Sequence, residues 1–118
     1  ILIEKITKYA TFYVAYWDNE ICGYCAIYMN DYDSLVAYIS LLAVNSKYQN
    51  RHIGKTLISK IVSRLYECNF KSVKLEVDKK NSNAIRFYLK NGFAVCDETE
   101  KSYFMILNLV ERKNEFRW

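Results

Sequence analysis

Gly54 stands where a polar, partly basic loop (residues 45–52) runs into an amphipathic helix (residues 53–68). At such a junction the first backbone N–H groups have no intrahelical acceptor, and the helix dipole adds positive character. Together they hold anions. A glycine there lets a phosphate approach the backbone closely. Lys47, Arg51 and Lys55 surround the same point and add charge. The chain has only three glycines, Gly23, Gly54 and Gly92, so each answers a backbone need.

Two phosphate patterns compete for the segment from Gln49 to Thr56. Gly54-Lys55-Thr56 fits the end of the G-x-x-x-x-G-K-[ST] loop of nucleotide hydrolases, but Gln49 occupies its first glycine. The backbone would struggle to wrap a phosphate without it, and no aspartate follows a continuous apolar strand later in the chain as the pattern requires. The second pattern, [QR]-x-x-G-x-[GA], is met by Gln49 and Gly54, with His52 in place of its middle glycine.

A metal or redox reading rests on Cys22 and Cys25, a lone CxxC. Residues three apart in a strand point to opposite faces, no second CxxC follows, and His52 is the one histidine. Cys22, Cys25, Cys68 and Cys96 are therefore expected to be four buried, reduced thiols of a cytoplasmic protein, with no metal.

The elements that must position the loop follow from periodicity. Residues 1–9 carry apolar side chains at Leu2, Ile3, Ile6 and Tyr9, which predicts the end of a helix. Residues 11–17 and 21–29 read as a hairpin, and residues 35–44 as a third strand. Ile53, Leu57, Ile58, Ile61, Val62 and Leu65 make one helical stripe. Val73, Leu75 and Val77 alternate with polar residues as a strand. Residues 82–91 predict a short helix ended by Gly92, and residues 93–96 and 103–110 two more strands. Residues 111–118 are a polar tail. A strand–helix–strand unit between residues 35 and 77 implies a parallel pair in a mixed, mostly antiparallel sheet flanked by helices.

The 118 residues, 52% of them hydrophobic and 25% charged, suit one α/β domain over residues 1–118 that buries a core without disulfides. A net charge of +4 is too mild to argue for nucleic acid and suits an anionic small ligand. Apolar runs such as residues 12–17 fall far short of the ~20 residues of a membrane helix, and no signal peptide is visible. The chain starts at Ile1 rather than Met, which predicts a domain incomplete at its N-terminus.

Downstream of Gly54, the segment Leu75-Glu76-Val77-Asp78, then Asn81, Ala84, Phe87, Tyr88, Gly92 and Phe93, keeps the order strand, N-x-x-A-x-x-[FL]-Y, G-F. With Gln49 and Gly54 ahead of it, this resembles the core of the GNAT superfamily of N-acetyltransferases over residues 12–109. The resemblance implies an acyl-CoA-binding fold without most of the family's N-terminal strand and helices. It implies acetyl-CoA as cosubstrate, no metal, and an amine acceptor that is a small molecule or a peptide. No nucleic-acid or membrane partner is implied, and a dimer stays open.

It also implies roles. Backbone amides of Gln49, Asn50, Arg51, His52, Ile53, Gly54 and Lys55 cradle the pyrophosphate. The backbone of Leu42, Ala43 and Val44 pairs with the pantetheine arm and stabilises the oxyanion. Asn81 bonds that arm and Phe87 lies on the cofactor side. Tyr88 is the general acid for the departing thiolate. Glu76, twelve residues earlier, matches the base of the ribosomal-protein alanine acetyltransferases. Asp31, Asp33, Tyr38 and Ser40 are alternative bases. A silent acyl-CoA-binding module would keep the loop without needing Glu76 or Tyr88, and a nucleotide-binding protein would need Lys55 and Mg²⁺.

Overall fold

The computed structural model describes residues 2–109. Strands β1 (Leu2–Ile6), β2 (Thr11–Trp17), β3 (Glu20–Tyr28) and β4 (Val36–Val44) come first. A 3₁₀ turn (Ser46–Tyr48), helix α1 (Ile53–Glu67), β5 (Ser72–Asp78), helix α2 (Ser82–Lys90), β6 (Ala94–Glu98) and β7 (Ser102–Asn108) follow. The strands form one seven-stranded sheet in the order β1-β2-β3-β4-β5-β7-β6. β4 and β5 run parallel and the other neighbours antiparallel. This is the mixed α/β architecture that the alternation of patterns predicts.

Residues 1–9 are the exception. Leu2–Ile6 is not a helix end but an edge strand paired with β2, Leu2 opposite Ala15 and Ile6 opposite Thr11. Only Leu2 is half-buried, while Ile3 and Ile6 stay exposed. An edge strand with a largely solvated surface has no alternation to display. The expected tail, residues 111–118, lies outside the described residues.

Helix α1 lays its stripe on the sheet. Ile53, Leu57, Ile58, Ile61, Val62 and Leu65 are all buried, each contributing on the order of 1.5–3 kcal/mol. The helix can come so close because β3 carries Gly23: a Cβ there would stand 2.7 Å from Ile53 Cγ2 and 3.1 Å from Leu57 Cδ1. Helix α2 ends in a Schellman motif. Gly92 has φ 96° and its N–H donates to the Leu89 carbonyl at 3.1 Å. The Phe93 N–H donates to the Tyr88 carbonyl at 3.0 Å.

Two bulges shape the centre of the sheet. Between β2 and β3, Ala15 pairs with Gly23 and Tyr16 with Ile21, leaving Cys22 as the extra residue. Cys22 and Cys25 are both buried, so simple alternation does not separate them. The expectation of four buried thiols also fails: Cys68 is half-buried and Cys96, on the outermost strand, is exposed. Between β3 and β4, Ala26 pairs with Leu41 and Ile27 with Ile39, so Ser40 bulges out. Its hydroxyl donates to the Ala26 carbonyl at 3.3 Å.

At the same level β4 and β5 part. Their pairing runs from Val36–Ser72 to Ile39–Leu75 and stops. Beyond it, residues 40–44 of β4 keep β3 on one side and, among the described residues, have no strand on the other. The fold thus opens a slot between its two parallel strands, flanked by unpaired backbone groups.

Candidate active site

A groove of about 920 Å³ runs from the N-terminus of α1 to α2. The loop entering it is tightly built. Asn45 accepts the Lys47 N–H at 3.0 Å through Oδ1 and the Tyr48 N–H at 2.8 Å through its carbonyl. Gln49 is extended, and Asn50 (φ 66°) and His52 (φ 59°) take the left-handed conformation. That conformation explains why the sequence pattern asks for glycine where this chain has His52. His52 makes no capping hydrogen bond with its side chain, and its carbonyl accepts from Thr56. The amides of Ile53, Gly54 and Lys55 therefore have no acceptor within the helix, and they open on the groove.

The cations divide differently from expectation. Lys55 lines the groove, and so does Lys90 of α2. Arg51 does not: its guanidinium stacks 5.1 Å from the Trp17 ring and 5.8 Å from the Tyr48 ring. Lys47 is tied to Glu20 at 3.0 Å. Both side chains are drawn away by the β2–β3 hairpin, which the loop sequence alone does not reveal.

Gly54 serves a contact that the sequence reading did not foresee. A Cβ on it would lie 3.1 Å from the Phe87 ring and 3.7 Å from Val44 Cγ2. Glycine here lets α1 and α2 close on each other, with Phe87 forming part of the groove wall. Helical spacing brings Asn83, Phe87 and Asn91 to the same wall. That spacing was the readable signal for Asn83, Lys90 and Asn91, which the motif did not include.

The slot between β4 and β5 is smaller, about 190 Å³. Glu76 and Asp78 line it from β5, Ser40 and Leu41 from β4, and Asn81 from the start of α2. Asn81 caps that helix, its Oδ1 accepting the Ala84 N–H at 3.2 Å, which leaves its NH₂ group for a second partner. Asp78 is occupied, its Oδ1 accepting the Lys80 N–H at 2.8 Å. Glu76 is exposed on the face shared with Lys74, and it faces Phe104 of β7. Tyr38 is near enough to feel it: burial first, and then the Glu76 charge, raise the Tyr38 phenol.

Leu42, Ala84 and Tyr88 line both cavities. Tyr88 is 8% exposed and held between two rings, Phe87 at 5.4 Å and Phe93 at 5.5 Å, both edge-on. Burial, with a smaller contribution from Cys25, pushes its phenol up to about 12. The hydroxyl therefore keeps its proton through neutral pH. Among the described residues, the groove is lined by Lys55 and Lys90 and no carboxylate, whereas the slot is lined by two carboxylates and no lysine or arginine. No group of three His, Cys, Asp or Glu able to hold a metal occurs among the described residues.

Residues 3–93 match the acetyltransferase (GNAT) family model. The chain belongs to the GNAT acetyltransferase family. Among its relatives, N-alpha-acetyltransferase 30 of Xenopus laevis is 38% identical over 68 residues, 58% of this chain and 24% of that protein. The PaiA N-acetyltransferase of Thermoplasma acidophilum, solved with coenzyme A, superposes with TM-score 0.78 at 25% identity over 85% of this chain and 61% of that one. Ard1 of Thermoplasma volcanium gives TM-score 0.72 at 27% identity, covering 86% and 70%. The chain thus spans about a quarter of the length of the Xenopus relative. In this GNAT domain, the strand-to-α1 loop and the α2 motif line the same groove.

Proposed function

We propose that the chain is an N-acetyltransferase that moves the acetyl group of acetyl-coenzyme A to a primary amine by direct attack. The observation that carries this reading is the junction of two oppositely charged cavities at Tyr88. The groove suits a polyanion, the slot suits a cationic amine, and the reacting bond belongs where they meet.

The amides of Ile53, Gly54 and Lys55 hold the pyrophosphate, with the backbone of Gln49, Asn50, Arg51 and His52 completing the turn. The open side of β4 at Leu42, Ala43 and Val44 pairs with the pantetheine amides, and one of those N–H groups stabilises the oxyanion. The Asn81 NH₂ bonds the same arm and Phe87 packs beside it. Glu76, directly or through water, takes the proton that frees the amine lone pair. The amine nitrogen then bonds the thioester carbon, the carbon–sulfur bond breaks as Tyr88 protonates the departing sulfur, and the second proton shed by the nitrogen restores the Tyr88 phenol through solvent. The products are an N-acetyl amide and the free thiol.

The acceptor in this proposal is an α-amine, the class that the name N-alpha-acetyltransferase gives for the Xenopus relative, and a peptide N-terminus is the form of it to test. A cytoplasmic location is part of the proposal, supported by the free thiols of Cys22, Cys25, Cys68 and Cys96. No described helix is long and apolar enough to cross a membrane.

Calorimetry with acetyl-CoA against ATP–Mg²⁺, followed by a free-thiol assay over a panel of amines, tests the reading. Acetyl-CoA binding and peptide-dependent thiol release support it. Preference for ATP would replace it with a nucleotide-binding function. Acetyl-CoA binding with no turnover on any amine would leave a non-catalytic acyl-CoA module.

A further inference from the structure

The tip of the β2–β3 hairpin is a two-residue turn, Asp18-Asn19, with φ 49° and 62° at its two positions. Such a type I′ turn matches the twist of its strands and fixes the flanking residues opposite each other. Those residues are Trp17 and Glu20, a cross-strand pair. Both reach the loop that leads into α1. One oxygen of Glu20 accepts the Tyr48 hydroxyl at 2.6 Å and Lys47 Nζ at 3.0 Å. Trp17 lies 6.4 Å from the Tyr48 ring and carries the Arg51 guanidinium on its face. The loop is thus held at Tyr48 and again at Arg51. Between them lie Gln49 and the left-handed Asn50, and His52, also left-handed, follows.

We infer that Glu20 and Trp17 are positioning residues for the cosubstrate: the hairpin tip sets the loop in the shape that turns its amides toward the pyrophosphate. Neither residue lines the groove, and both act through Tyr48 and Arg51. Left-handed backbone at non-glycine residues persists only where surrounding contacts over-determine it, and the hairpin tip supplies those contacts. Glu20 is exposed, so its two bonds to the loop are not needed to fill the core. The inference rests on the reading of the groove as the acetyl-CoA site.

Glu20→Ala, Glu20→Gln and Trp17→Leu, made in the whole chain, test it by calorimetry with acetyl-CoA and by turnover of two donors. One donor is acetyl-CoA. The other, S-acetylpantetheine, lacks the pyrophosphate. Glu20→Ala and Trp17→Leu are expected to raise Kd and KM for acetyl-CoA about tenfold, with kcat at saturation and kcat/KM for S-acetylpantetheine unchanged. Glu20→Gln keeps an acceptor for the Tyr48 hydroxyl and is expected to stay within about threefold of wild type. Wild-type affinity in Glu20→Ala, or equal losses with both donors, would overturn the inference while leaving the groove reading intact. Failure of the wild-type chain to bind acetyl-CoA would overturn both.

Discussion

Gly54 and Phe87 are so close that a Cβ on the glycine would stand 3.1 Å from the ring. Gly54→Ala therefore sets two effects against each other. Alanine gains roughly 1 kcal/mol of helix propensity over glycine. The contact pushes Phe87, which is only half-buried, toward the groove. Stability is expected to change by less than about 1 kcal/mol while acetyl-CoA affinity falls several-fold. Thermal unfolding and calorimetry on the same variant separate the two. Undiminished affinity would remove Phe87 from the binding wall.

Gly23→Ala has no such outlet. The added Cβ meets Ile53 Cγ2 at 2.7 Å, and both neighbours, Ile53 and Leu57, are buried. Overpacking at such a site costs about 1–3 kcal/mol. Denaturant unfolding is expected to show that loss, and a wild-type midpoint would mean that α1 can rise from the sheet without penalty.

His52→Gly probes the strained loop. A non-glycine residue in the left-handed region costs roughly 1–2 kcal/mol, and glycine's greater freedom in the unfolded chain takes back roughly 0.5–1 kcal/mol. The expected net is a gain of up to about 1.5 kcal/mol in chemical denaturation. A loss of stability would show that the imidazole makes a contact worth more than the strain.

The pH profile follows from Tyr88. Its phenol is raised from 10.0 to about 12 in the folded chain, chiefly by burial, so the protonated form is favoured by folding. The stability linked to it is present below pH ~10 and is lost between pH ~10 and ~12. The proton donor stays loaded through this lower range. Activity on a peptide amine is expected to rise with pH as the amine loses its proton and then to level off, with no fall below pH ~10. A basic limb near neutrality in Tyr88-dependent turnover would contradict the assignment.

Most of the fold was legible because its elements bury one regular face. The α1 stripe, the β5 alternation and the Gly92 helix end each write one local rule into consecutive residues. β1 was misread because an edge strand buries almost nothing: the spacing of Leu2, Ile3 and Ile6 reflects no packed face. The lining of the two cavities was legible where a motif sets the spacing, at Gly54, Asn81 and Tyr88. It was illegible where the answer lay far along the chain. Arg51 and Lys47 read from the loop as cations beside Gly54, and their contacts with Trp17 and Glu20, from a separate hairpin, have no local signal. The slot itself comes from the parting of β4 and β5 after Ile39 and Leu75, which no local pattern records.

Single-turnover kinetics of Tyr88→Phe with acetyl-CoA and a peptide amine test the account most directly. The substitution keeps the ring between Phe87 and Phe93 and removes only the hydroxyl. Acetyl transfer is expected to slow by about 10²–10⁴-fold while acetyl-CoA affinity stays within a few-fold of wild type. Transfer at the wild-type rate would contradict the claim that the chemistry takes place where the two cavities meet at Tyr88.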